Sequence, residues 1–155
     1  MIYEYIKEGT TISSNEFKPL EVDKQVYDKY CKGNKKLEKD CPVATDKIKP
    51  ILVLYKEDIV GYMHITKYDG HIYITDLYIY PKYRGKGFSK YFLDLATKKY
   101  KATHISVYST NKKAIHIYEK YGFKTFEDYT DKDGKVAHFM SLGGKWYDIQ
   151  LSNRI

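Results

Sequence analysis

The sequence predicts an α/β fold, a mixed sheet with flanking helices, and three observations carry that reading. Apolar, β-branched and aromatic residues fall in short runs, clearest at residues 51–55, 59–66 and 71–80. Two later segments, beginning at Phe88 and after Asn111, switch to helical spacing. Turn-forming stretches such as Lys67-Tyr68-Asp69-Gly70 and Asp131-Lys132-Asp133-Gly134 separate the runs. With 155 residues, no internal repeat and no Pro-rich or Gly/Ser-rich linker, residues 1–155 are expected to form a single domain around one core.

A first strand is expected near residues 1–7 and a helix over residues 20–31. Residues 51–55 and 59–66, joined at Lys56-Glu57-Asp58, read as a hairpin. Residues 71–80 read as a strand ended by Pro81, which cannot donate to a ladder. Phe88, Phe92, Leu95 and Ala96 then recur at helical spacing, with Lys90, Asp94, Lys98 and Lys99 elsewhere on the wheel. Residues 105–108 form the next strand. Asn111 suits an N-cap, Ala114, Tyr118 and Tyr121 share a helical face, and Gly122 suits a left-handed C-terminal position. Residues 124–129 and 136–142 form a last hairpin, after which Gly143-Gly144 releases a tail containing Trp146 and Tyr147.

Composition narrows the partners. The net charge of +7 raises a nucleic-acid partner, but the lysines are dispersed and no nucleic-acid motif is present. An acidic or RNA-linked partner stays open. No apolar run is long enough to span a membrane, and the charged start Met-Ile-Tyr-Glu-Tyr-Ile-Lys-Glu does not suit a signal peptide. Cys31 and Cys41 suit a reducing cytoplasm better than a disulfide framework, so a cytoplasmic location is expected. No His, Cys or Asp spacing matches a metal site, and no metal is expected.

The stretch Tyr83-Arg84-Gly85-Lys86-Gly87-Phe88-Ser89 joins the strand at 71–80 to the following helix. Its glycines allow close approach of the main chain, the helix start offers N–H groups, and Arg84 and Lys86 add charge, a combination suited to pyrophosphate. A P-loop is excluded because no Gly-x4-Gly-Lys-Ser/Thr run exists. A dinucleotide fingerprint would need a third glycine where Lys90 stands.

Arg84-Gly85-Lys86-Gly87-Phe88-Ser89, led in by Asp76-Leu77-Tyr78-Ile79-Tyr80-Pro81, resembles the Arg/Gln-x-x-Gly-x-Gly/Ala signature of the GNAT superfamily of acyl-CoA-dependent N-acetyltransferases. Ser89 departs from the usual glycine or alanine. A second stretch, Asn111 to Phe123, is similar at every fixed position to the family's Asn-x-x-Ala-x-x-x-Tyr-x-x-x-Gly-Phe. The resemblance covers residues 51–142. It implies a GNAT fold whose mixed central sheet splays at the CoA site. It also implies acetyl-CoA as donor, bound by Leu77, Tyr78, Ile79, Arg84, Gly85, Lys86, Gly87, Phe88, Ser89, Asn111, Ala114 and Tyr118, and an acceptor bearing a primary amine.

The implied chemistry is attack of an amine on a thioester. The amine must lose a proton, the oxyanion needs a donor such as a backbone N–H near Tyr78 or Ile79, and the sulfur must be protonated. The family's motif tyrosine makes Tyr118 the expected acid. Asp76 and His71 are the candidate bases, with a water-mediated route also open. The Asp76 segment resembles polyamine acetyltransferases, although those relatives usually carry a second acidic residue where Thr75 stands. Alternation puts His71, Tyr73 and Thr75 on one face and Asp76 on the other unless a bulge intervenes. His64 and His138 could be core residues or line an acceptor pocket, His116 should lie at the surface, and His104 precedes a strand. A homodimer stays open, as do an acceptor of the aminoacyl-tRNA or nucleic-acid-bound type and an acyl-CoA-binding domain without catalysis.

Overall fold

Alternating side chains along short strands need two covered faces, and the described residues supply four helices to cover them. The computed structural model describes residues 4–7 and 10–142. Strands β1 (Glu4–Lys7) and β2 (Thr10–Ser13) pair as a separate antiparallel hairpin. The main sheet contains β3 (Phe17–Glu21), β4 (Ile48–Tyr55), β5 (Asp58–Tyr68), β6 (His71–Ile79), β7 (His104–Tyr108), β8 (Phe123–Thr130) and β9 (Val136–Leu142). Their spatial order is β3-β4-β5-β6-β7-β9-β8, and only the β6–β7 pair is parallel. Helix α1 covers residues 24–31, α2 is Lys35–Asp40, α3 covers residues 88–99, and α4 is Lys112–Tyr121.

The mixed sheet and its flanking helices match the expected class. The expected helix over 20–31 starts later, because Leu20 and Glu21 pair with Leu52 and Ile51 and finish an edge strand. Asp23 then caps α1 by accepting from Val26 N at 2.8 Å. Helix α2 and strands β2 and β3 have no counterpart among the expected elements, and β4 to β8 differ by one to three residues at their ends. The tail at Gly143-Gly144, Trp146 and Tyr147 lies outside the described residues, as do Met1 to Tyr3.

Strand alternation divides the core in two. Ile51, Val53, Met63, Ile65 and Ile74 face α3 and α4, meeting Phe88, Phe92 and Tyr118. Leu52, Leu54 and Tyr62 point the other way and are covered by Cys31, Leu37 and Cys41 of the α1–α2 segment. Asp94, 2% exposed on α3, ties the first layer together. Tyr121 Oη of α4 donates to it at 2.7 Å, and the Lys90 and Lys98 ammonium groups lie 3.0 and 3.6 Å from its carboxylate. Burial alone would raise this carboxyl, but the Tyr121 and Lys90 hydrogen bonds and the two lysine charges outweigh it and hold the pKa below its ordinary value.

The site depends on one irregularity. The β5–β6 ladder pairs His64 with Asp76 and then Ile65 with Ile74, so Thr75 is an extra residue on β6. On its other side β6 pairs with β7 only at Tyr73–His104 and Ile74–Ile105. The parallel ladder therefore ends where the bulge begins, and the sheet splays there as the sequence motifs implied. Gly61 fixes the opposite edge, since a Cβ there would lie 2.1 Å from the Tyr78 carbonyl oxygen.

Gly61→Ala should lower unfolding free energy by roughly 2–3 kcal/mol, measured by urea denaturation, because the β5–β6 backbones must separate. Asp94→Asn should cost about 2 kcal/mol at neutral pH. Since the folded pKa of Asp94 is lowered, its contribution is complete above the ordinary carboxylate pKa and is lost as pH falls through the folded value. The two proteins should converge in stability on acidification.

Candidate active site

The turn after β6 takes its shape from its glycines. A short 3-10 turn, Pro81–Tyr83, leads to Arg84 in an extended conformation, and Gly85 and Gly87 follow with φ of 72° and 82°. These are left-handed values that suit glycine, and Gly87 is the N-cap of α3. Phe88 anchors the helix start by packing its ring against Phe17, Tyr55 and Tyr83, so only its backbone can face a ligand at the turn. Ser89 is half-buried, while Arg84, Gly85 and Lys86 are exposed. Arg84 Nε donates to the Ile79 carbonyl at 2.7 Å, and its guanidinium lies 5.1 Å from the Tyr78 ring centre.

The β6 backbone forms one wall of the opening. Tyr80 N donates back to Val60 of β5, so by strand alternation Ile79 directs its N–H and carbonyl away from β5. The Arg84 bond to the Ile79 carbonyl agrees with that direction. Leu77 has the same parity. The Ile79 amide thus faces the side on which β7 has separated, whereas the Leu77 amide is engaged by the Asp76 carboxylate.

The bulge also settles the parity of Asp76. His71, Tyr73, Asp76 and Tyr78 pair with Tyr68, Thr66, His64 and Tyr62, so all four lie on one face. Thr75 spends its hydroxyl on Thr66, 2.7 Å away. Partial burial raises the Asp76 carboxyl above its ordinary value, opposed by the His64 charge and reinforced by that of Asp40.

Tyr118 comes to the same opening from α4. Asn111 caps this helix by accepting from Ala114 N at 3.2 Å, and Gly122 ends it with φ of 125°. Ala114 is half-buried against the core, and Tyr118 is 7% exposed with its ring against Phe123. Burial, with a contribution from the Asp76 charge, pushes the Tyr118 phenol up to about 12. The Asp76 charge thus acts on Tyr118, although 42 residues separate the two in sequence.

Asp76 also borders a cluster contributed by α2 and β5. Tyr62 Oη donates to Asp40 Oδ2 at 2.6 Å, Lys36 Nζ lies 3.2 Å from the same oxygen, and His64 Nε2 meets the Asp40 carbonyl. The Tyr62 and Lys36 hydrogen bonds outweigh desolvation and hold the Asp40 carboxyl below its ordinary value. The Tyr62 phenol is raised by burial and by Asp40. Tyr78 stacks on Tyr62 at 5.4 Å and meets Tyr80 edge-on at 5.3 Å.

His71 does not join this group. It is five residues before Asp76, about 15 Å along a strand, and it is buried and stacked on His104 at 4.6 Å. His104 is the first residue of β7 and pairs with Tyr73, so it does not merely precede the strand. His64 borders the Asp76 cluster, His138 binds Asp128 at 2.6 Å, and His116 is exposed as expected. Lys36, Asp40 and Tyr62 are not among the residues that the sequence marks as candidates. No local motif marks Lys36, Asp40 or Tyr62, which come from α2 and β5, and Tyr80 lies in the motif lead-in just after β6.

Among the described residues, no helix is long and apolar enough to cross a membrane, and no group of three or more His, Cys, Asp or Glu could hold a metal ion. Residues 14–123 match the family model described as Acetyltransferase (GNAT) family. The spermine/spermidine N(1)-acetyltransferase of Bacillus subtilis (strain 168) is 29% identical over 108 residues, covering 61% of this chain and 70% of that protein. The SPbeta prophage-derived uncharacterized N-acetyltransferase YokL of the same organism is 35% identical over 81 residues, covering 46% of this chain and 40% of that protein. Among solved structures, the ribosomal-protein-S18-alanine N-acetyltransferase from Escherichia coli superposes with a TM-score of 0.59 at 14% identity, covering 83% of this chain and 97% of that one. A GNAT family acetyltransferase from Elizabethkingia anophelis with acetyl-CoA bound gives 0.56 at 15% identity, covering 83% and 99%. At these identities the structural likeness establishes the fold.

Proposed function

The chain belongs to the GNAT acetyltransferase family, and from that premise we propose that it transfers an acetyl group from acetyl-CoA to a primary amine, on a small molecule or on a protein lysine or N-terminus. The observation that carries the reading is the parting of β6 from β7 after Ile74, next to a glycine-shaped basic turn, with Asp76 on β6 and the buried Tyr118 on α4 as the available proton-transfer groups. Two relatives named as N-acetyltransferases, one of them acting on spermine and spermidine, support an amine acceptor. The acetyl-CoA-bound structural neighbour supports the donor.

Each group has a role set by its surroundings. Backbone N–H groups of residues 85–89 at the start of α3, with the Arg84 and Lys86 charges, hold the pyrophosphate. Asn111 and Ala114 shape the cofactor side of α4. The Ile79 amide faces the position where oxyanion charge develops on the thioester carbonyl. Asp76 receives the proton of the incoming ammonium directly or through water, and its raised pKa makes it a better base than an exposed carboxylate. The amine nitrogen then bonds to the carbonyl carbon as the carbon–sulfur bond breaks. Tyr118 gives its proton to the departing sulfur, a task its raised pKa suits because the phenol stays protonated at neutral pH, and the new amide nitrogen sheds its remaining extra proton to restore the phenol. His71 has no part in this arrangement, and a cytoplasmic site of action belongs to the same proposal.

Release of free CoA thiol should be seen with one or more amines when polyamines, peptides and charged tRNA are compared. Transfer confined to charged tRNA, or turnover with none of them, would contradict the reading. Tyr118→Phe should lower kcat about 100-fold while changing the KM for acetyl-CoA less than about threefold. Arg84→Ala should raise that KM about tenfold with a smaller effect on kcat. In wild type, kcat/KM should fall at acid pH as Asp76 is protonated, and this limb should be absent in Asp76→Asn. Tyr118, pushed up to about 12, should add no alkaline limb below about pH 10.

A further inference from the structure

Lys36 lies on the surface of α2, with its side chain 40% exposed, yet its ammonium turns inward onto the sheet. Nζ lies 3.2 Å from Asp40 Oδ2 and 4.0 Å from the centre of the Tyr78 ring, with the Tyr62 ring centre 5.8 Å away. An ordinary i,i+4 ion pair to Asp40 accounts for the first contact only. The second places a cation against an aromatic face contributed by β6, 42 residues further along the chain. The Tyr62–Asp40 hydrogen bond of 2.6 Å fixes the carboxylate, and the Tyr62–Tyr78 stack fixes the rings. Together they form a cation-binding cage with an ammonium of the protein's own inside it.

The cage adjoins the proposed transfer site. Tyr78 follows Asp76 by two residues on the same face of β6, and the Lys36 and Asp40 charges both act on Asp76. Tyr80, packed edge-on against Tyr78, also lines a groove of about 400 Å³ with Asn34, Asp58 and Tyr83. Asn34 is the N-cap of α2, two residues before Lys36, so the groove opens beside the helix that carries the caged ammonium.

We infer that Lys36 is a specificity-determining residue that acts as an internal competitor for the second ammonium of a diamine or polyamine acceptor. The inference rests on the amine-acetylation reading for the reacting end of the acceptor. The distal end concerns only the cage. An acceptor with one amine leaves Lys36 in place, whereas a second ammonium must displace it from Asp40 and Tyr78. Lys36 thus disfavours doubly charged acceptors relative to singly charged ones.

The test compares 1,4-diaminobutane with butylamine in wild type and Lys36→Met, a substitution on an exposed helix position that keeps the stem and removes the charge. Steady-state KM and calorimetric Kd are measured together, with circular dichroism to verify folding. Lys36→Met should lower KM and Kd for the diamine about tenfold and change those for butylamine less than about twofold. Asp40→Asn in the Lys36→Met background should reverse the diamine gain. Equal changes for both amines, or no gain for the diamine, would overturn the inference. The calorimetric arm keeps the two readings apart. Tighter diamine binding without transfer would support the cage and count against acetylation, whereas transfer to butylamine without a diamine gain would support acetylation and count against the cage.

Discussion

The single extra residue in β6, Thr75, is the constraint on which the rest of this structure depends. A bulge changes two things at once, the direction of a strand and the face to which later side chains point. Here the parallel ladder to β7 stops after Ile74, and Asp76 and Tyr78 move onto the face shared with His71 and Tyr73. Without it, β6 could continue along β7 and Asp76 would point toward α3 and α4. Thr66 and Gly61 support the irregularity from β5, one by bonding the Thr75 hydroxyl and the other by leaving room for the Tyr78 carbonyl.

Electrostatics then distinguishes the two sides of the opening. On the α4 side, burial keeps the Tyr118 phenol protonated and suited to donate. On the α2 side, Asp40 is held ionised by Tyr62 and Lys36, while Asp76 is held somewhat more basic by partial burial and by Asp40. Carboxylates and tyrosine rings collect on this side, and basic residues collect at the Arg84–Lys86 turn. Tyr78 touches both regions, with Lys36 at 4.0 Å and Arg84 at 5.1 Å from its ring. A cationic acceptor and a phosphate-bearing donor are the pair of ligands that such a polarity favours.

The parts of the fold legible in the sequence were those written in local chemistry. The Asn111 cap, the Gly122 terminus, the glycine turn and the hairpins at residues 67–70 and 131–134 depend on residues close in sequence. The parts that escaped depend on pairing. Leu20 and Glu21 carry no strong strand signal and extend because β4 offers them an edge. The six-residue helix α2 is too short for periodicity to reveal, and its Lys36 and Asp40 gain significance only once β5 and β6 lie beneath them. Asp76 was legible as a candidate, but its face was not, since side-chain parity cannot be counted through an unseen bulge. His71 satisfied the pKa requirement for a base in sequence and is set aside by its distance along the strand.

A crystal structure with a bisubstrate analogue, in which CoA is joined through an acetyl linker to a primary amine, is the most direct test of the opening between β6 and β7 as the transfer site. The pantetheine arm should run between β6 and β7 beyond Ile74, with the CoA sulfur within about 3.5 Å of Tyr118 Oη and the amine nitrogen on the Asp76 side. An analogue bound outside this opening, or a complex in which β6 and β7 pair continuously past Ile74, would contradict it.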